Sequence, residues 1–199
     1  MKAAQKAFEG TWSKLFPKER AIYLKAIAEQ LRENAEHLGK IETIDTGKLF
    51  KETKTQANYI AEYYDYYAGL ADKVEGTVLP IDKANMQGIT TRVPIGVVAA
   101  IIPWNSQMLL TAVKLAPALA MGNTIILKAS EAAPAPLLEL AKLIDSAEIE
   151  GLEFSSLINL APDEYAHHWR EIVKFLDIVT KAWPKILSEE VQDISKNPV

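Results

Sequence analysis

The chain has 199 residues, 49% of them apolar, which is room for one ordinary domain or two small ones with a real core. Its 22 basic and 26 acidic residues are interspersed, giving a net charge of −4 and no basic stripe, so charge gives no pointer to nucleic acid. Zero cysteines exclude disulfides, thiolate zinc ligands and a Cys nucleophile within these residues, and no run approaches the roughly 18 apolar residues of a membrane span.

With Met1 to Gln5 carrying no apolar run of the signal-peptide kind, a cytoplasmic globular protein is the expectation. The first strong pattern runs from near Pro17 to His37, where Ala21, Leu24, Ile27, Ala28 and Leu31 recur at helical spacing and Pro17 suits a first turn. A shorter helix follows to Thr46, stopped by Gly47, and another runs from about Phe50 to Asp72. That last helix carries Tyr59, Tyr63, Tyr64, Tyr66 and Tyr67, which suit either core burial or a subunit-facing surface.

Between Val74 and Pro94 the texture changes to short β-prone runs, residues 77–81 and 88–93, around the turn-like Asp82-Lys83-Ala84-Asn85, which reads as a hairpin. Residues 95–102 are apolar without alternation, as expected of a strand buried on both faces of a parallel sheet. A helix from Gln107 to Met121, a break at Gly122-Asn123, a second strand over 124–128 and a helix from Pro134 to Ile144 complete a β-α-β-α stretch. The fold class is therefore α/β: N-terminal helices, a hairpin arm and an incomplete Rossmann-like unit. From about Ile149 the pattern becomes a helical tail, so residues 1–146 and 147–199 read as two regions.

A β-α-β unit offers its ligand site at the carboxyl ends of its strands. Two loops fall there. The first carries Asn105, whose amide can donate to a developing oxyanion; the second carries Lys128, Ser130 and Glu131, able to bind the vicinal hydroxyls of a ribose. Helix capping explains the same residues, Asn105 or Ser106 opening one helix and Ser130 with Glu131 the next. No metal is expected, because His37, His167 and His168 show no metal-ligand spacing.

Three linked motifs resemble the NAD(P)-dependent aldehyde dehydrogenase superfamily: residues 96–105, ending Ile101-Ile102-Pro103-Trp104-Asn105; residues 114–124, from Lys114-Leu115-Ala116-Pro117 to Met121-Gly122-Asn123-Thr124; and Lys128-Ala129-Ser130-Glu131. Upstream, residues 41–48 and 66–73 agree, and the likeness covers about residues 1–144. Gln107 and Ala129 stand where proline is common in that family.

The resemblance implies an oxidoreductase that converts an aldehyde to a carboxylic acid. It implies that Asn105 is the oxyanion-hole amide, that Ile101, Ile102, Pro103 and Trp104 line the cofactor channel, and that Lys128 and Glu131, beside Ser130, hold the adenosine ribose. Glu131 favours NAD, with NADP the alternative. The family's glycine-bearing turn, general-base Glu and catalytic Cys lie beyond the matched region and have no counterpart here, so this chain alone is expected to be inactive. The alternative is a non-catalytic truncated or fused module that keeps a partial nucleotide surface and an oligomerising hairpin, Val74 to Val93; either way a homo-oligomer is expected. Residues 160–184 resemble part of a bacterial AddB-type double-strand-break repair protein, which implies a fusion near Leu140 to Gly151; a divergent helical cap over an incomplete dehydrogenase fragment is the equal alternative.

Overall fold

A computed structural model describes residues 2–146; the tail region, with its AddB-like segment, His167 and His168, lies outside the described residues. Helix α1 (Lys2–Glu9) opens the chain and is an addition to the sequence expectation. A 3₁₀ turn at Trp12–Lys14 leads to α2 (Pro17–Glu33), whose Pro17 sits in the first turn and whose Glu19 carboxylate accepts from the Phe16 N–H at 2.6 Å.

The single helix expected to reach His37 is in fact two, because the chain turns at Asn34 before α3 (Ala35–Thr46). Apolar spacing carries across that break, with Leu31, Ala35 and Leu38 all buried, so periodicity alone could not reveal it. Gly47 ends α3 in the left-handed conformation at φ 75°, where a side chain would be strained. Helix α4 (Phe50–Leu70) packs back along α3 so closely that a Cβ on Gly39 would lie 2.8 Å from the Lys54 backbone.

Of the five tyrosines on α4, only Tyr64 is fully buried; Tyr59 and Tyr66 are exposed, which corrects the core-burial reading of that stripe. On the outer face Tyr59 meets Tyr63 and Tyr66 meets Tyr67 edge to face, with centroids 5.5 and 5.2 Å apart.

The hairpin is present but short. Strand β1 (Val78–Leu79) pairs antiparallel with β2 (Gly88–Ile89), and Asn85 supplies a positive φ of 65° in the connection. Val78 and Ile89 are each 63% exposed, so this arm adds nothing to the core.

Strand β3 (Val97–Ile101), α5 (Gln107–Ala120), β4 (Thr124–Lys128) and α6 (Ala135–Ser146) form the expected β-α-β-α unit, with the two strands parallel. The expectation that the first strand is buried on both faces fails: Ala100 is buried while Ala99 and Ile101 are exposed. One sheet face meets the helices; among the described residues the outward face of β3 stays open, and alternation returns. A continuous core joins Leu24, Ile27 and Leu31 of α2 to Ile60 and Tyr64 of α4, Met108 and Leu115 of α5, Ile125 of β4 and Leu140 of α6.

Candidate active-site loops

The parallel register fixes the site. Ile101, the last residue of β3, pairs with Lys128, the last of β4, and the Ile102 N–H donates to the Lys128 carbonyl at 2.9 Å. The two loops that carry the polar residues named from sequence therefore leave the sheet side by side.

In the first loop Ile102 turns inward and is buried, whereas Ile101 is 44% exposed. After exposed Pro103 comes a 3₁₀ turn, Trp104–Ser106, in which Trp104 is 57% exposed and Asn105 is exposed beside it. The capping explanation does not hold for this loop. No side chain caps α5, and the Ser106 hydroxyl instead accepts from the Lys48 ammonium at 2.7 Å. Lys114, two turns into α5, donates to the Ile101 carbonyl at 2.5 Å and so marks the strand end with a positive charge.

In the second loop the mostly buried Lys128 ammonium donates to the exposed Glu131 carboxylate at 2.6 Å. That hydrogen bond holds the Glu131 carboxyl below the usual carboxylate range. Ser130 accepts from the Ala132 N–H at 3.3 Å, closing a tight turn short of α6. The N–H at the start of α6, that of Ala135, is satisfied from elsewhere: it donates to Asp45 at 2.8 Å, so neither Ser130 nor Glu131 is the helix cap.

Gln107 joins the loops. It is buried at the start of α5, and its amide donates to the carbonyl of Ala133 and, at 3.5 Å, to that of Ser130. A proline at this position could make neither contact, so the departure from the family pattern has a structural use. Asp45, Lys48 and Gln107 were beyond sequence reasoning as contributors here, since each acts across the fold.

Paired parallel strands with a helix between them, and polar loops leaving their adjacent carboxyl ends, define a Rossmann-like α/β unit. The aldehyde dehydrogenase family profile matches residues 1–163, and the chain belongs to that family. The dehydrogenase of Acinetobacter baylyi that acts on (Z)-2-((N-methylformamido)methylene)-5-hydroxybutyrolactone is 56% identical over 146 residues, 73% of this chain and 30% of that protein. Betaine aldehyde dehydrogenase of Bacillus subtilis is 41% identical over 148 residues, covering 74% of this chain and 30% of its own length.

Among solved structures, a point mutant of Staphylococcus aureus betaine aldehyde dehydrogenase in complex with NAD+ aligns with TM-score 0.72 and 34% identity over 78% of this chain and 31% of that one. HpcC from Thermus thermophilus aligns with TM-score 0.72 and 35% identity, covering 79% and 30%. This chain thus spans about 30% of the length of the curated relatives it matches.

Proposed function

We propose that residues 1–146 form the adenosine side of an NAD-dependent aldehyde-oxidising site, and that the chain by itself binds nucleotide without turning over aldehyde. The observation that carries this reading is the side-by-side exit of the Trp104-Asn105 and Lys128-Glu131 loops from paired strand ends. The exposed faces of Ile101 and Trp104 offer an apolar wall for a purine, while the Glu131 carboxylate and Lys128 ammonium offer an acceptor and a donor for vicinal hydroxyls. A carboxylate there repels a 2′-phosphate, which favours NAD over NADP.

In the complete reaction bound NAD would take up the hydride that leaves the substrate carbon. This chain's own part is to hold and orient. Ile102 anchors the loop by burial, Pro103 and Trp104 shape the channel, and Ser130 tightens the turn that carries Glu131. Asn105, exposed at the strand end, would donate its amide hydrogens to the oxygen of the adduct between aldehyde and thiol. With zero cysteines the 199 residues hold no thiol to form that adduct, so the oxidation needs one from other polypeptide.

The second reading is a non-catalytic module that keeps the nucleotide surface and associates through its hairpin. It is favoured by the exposed apolar residues Val78, Leu79, Ile81 and Ile89 on an arm that contributes nothing to this chain's core. Both readings take residues 147–199 as a separate region and place the protein in the cytoplasm. No described helix is long and apolar enough to cross a membrane.

The test is calorimetric titration of the purified chain with NAD beside an aldehyde-dependent NADH assay. Binding without turnover is expected, and Trp104→Ala should weaken it by about tenfold, a loss of roughly 1.4 kcal/mol. Equal affinity in that variant would remove Trp104 from the cofactor surface. No binding by the parent chain would overturn the nucleotide surface in both readings and leave only association through the hairpin.

A further inference from the structure

We propose that the Glu42–Lys48 ion pair is a positioning device for the turn that carries Trp104 and Asn105, with Lys48 acting through Ser106. This rests on the reading of that turn as part of the cofactor and oxyanion site.

The chemistry begins at the end of α3. Glu42 is fully buried, and its carboxylate accepts from the Lys48 ammonium at 2.8 Å. The backbone between them is tied at several points. The Gly47 N–H donates to the Thr43 carbonyl at 2.9 Å, and the Thr46 hydroxyl donates to the Glu42 carbonyl at 2.5 Å. The left-handed Gly47 then turns the chain so that Lys48 folds back over α3 instead of running into solvent.

A compact ammonium with fixed partners is a good reference point. Having met Glu42, the same Nζ donates to the Ser106 hydroxyl at 2.7 Å, across 58 residues of sequence. Ser106 is the next residue after Asn105 and closes the 3₁₀ turn that begins at Trp104. Its backbone sits at φ −165° and ψ 67° with no helix-capping bond, so the contact from Lys48 is what holds this hydroxyl.

As a stabiliser the pair is poor, because a buried carboxylate loses its hydration, and the second Glu42 oxygen finds no partner among the described residues. As a geometric lock it is effective. The helix end that holds the first loop through Lys48 also holds the helix that follows the second, since Asp45, one turn on from Glu42, accepts from the first N–H of α6. The first loop and the helix after the second are thereby both tied to the end of α3, which is the support a binding loop needs to keep its geometry.

The test uses the full chain. Nitrogen-15 spectra would follow the Asn105 side-chain amide and the Trp104 indole N–H, assigned by their loss in Asn105→Asp and Trp104→Phe, alongside thermal melting and NAD titration. Lys48→Met and Ser106→Ala should both displace these two signals in the nucleotide-free protein and weaken NAD binding by about tenfold, the scale of a small misplacement of a binding group. Lys48→Arg should return the signals most of the way. The control is Ile27→Val, which trims the core and lowers the melting point but should leave both signals where they are.

If Lys48→Met fails to fold, Ser106→Ala decides, because it leaves the ion pair intact. Unmoved signals in Ser106→Ala, or equal displacement in Ile27→Val, overturn the proposal. Absence of NAD binding by the parent chain would instead defeat the cofactor reading, and the two signals would still report whether Lys48 positions the turn.

Discussion

The helical half and the strand half of this molecule are built on different terms. In α2, α3 and α4 the residues Leu24, Ile27, Leu31, Leu38 and Ile60 are all sealed from solvent, and the outside is dressed with ion pairs such as Arg32–Asp65 and Lys54–Glu36. In the strand half, the hairpin holds Val78 and Ile89 out in solvent and, among the described residues, β3 leaves one face bare. An amphipathic helix needs only a partner for one stripe, and three helices supply one another. A sheet strand has two faces and two edges, and two strands with their helices cover half of that. The helices of the first region are covered on their apolar stripes, in part by α5, β4 and α6 of the second through one continuous core, whereas among the described residues the hairpin and the outward face of β3 are left uncovered.

The comparison breaks most visibly under truncation of side chains. Leu24→Ala should cost about 2–5 kcal/mol in urea unfolding, whereas Ile89→Ala in the hairpin should change stability by less than about 0.5 kcal/mol. Equal losses would mean that the hairpin is packed in solution and the contrast is false. A subtler probe asks whether the halves are joined where the structure joins them. Asp45→Ala removes the carboxylate that caps α6 from α3, with an expected loss of about 1 kcal/mol that Asp45→Asn largely recovers. No change in either variant would separate the strand-end loops from the helical half.

The smallest effect is electrostatic and belongs to the helical surface. Hydrogen bonds from Lys40 and Lys54 hold the Glu36 carboxyl down at about 2, from an ordinary 4.5. A carboxyl depressed on folding adds stability above its unfolded value and loses it as pH falls toward the folded one. The melting point of Glu36→Gln should therefore lie below that of the parent near neutral pH and converge with it as pH falls from about 5 toward 2. A constant offset across that range would remove the ion pairs as its cause.

Sequence reading reached the elements where a pattern is long or a stop signal is chemical. Thr46 before left-handed Gly47, and the strand at 124–128 after Gly122-Asn123, fell where expected because glycine is the signal that a chain must turn there. Helix α1 escaped because eight residues give too short a window for periodicity. The break at Asn34 escaped because burial continues through it.

The named site residues of both loops lie at adjacent strand ends, as the β-α-β pattern requires, yet their supports were invisible. Asp45 reaches a partner 90 residues away and Lys48 one 58 residues away, and each sits in a stretch that reads locally as an ordinary helix end. Contact across such distances is a product of the packed core and leaves no periodic trace in the chain.

Two long-range contacts, made by Ala4 and Trp12, bear on the order in which the chain can assemble. The Trp12 indole donates to the Asn123 carbonyl at 2.9 Å, and the Thr124 hydroxyl donates to the Ala4 carbonyl, 120 residues back, at 3.0 Å. On a ribosome adding about 5–20 residues per second, Ala4 and Trp12 wait on the order of ten seconds for the strand they will clasp. Meanwhile α2, α3 and α4 have all their mutual contacts in hand. Ala4 and Trp12 thus dock only once residues more than 100 positions later in the chain are in place, and β4 is the latch that admits them.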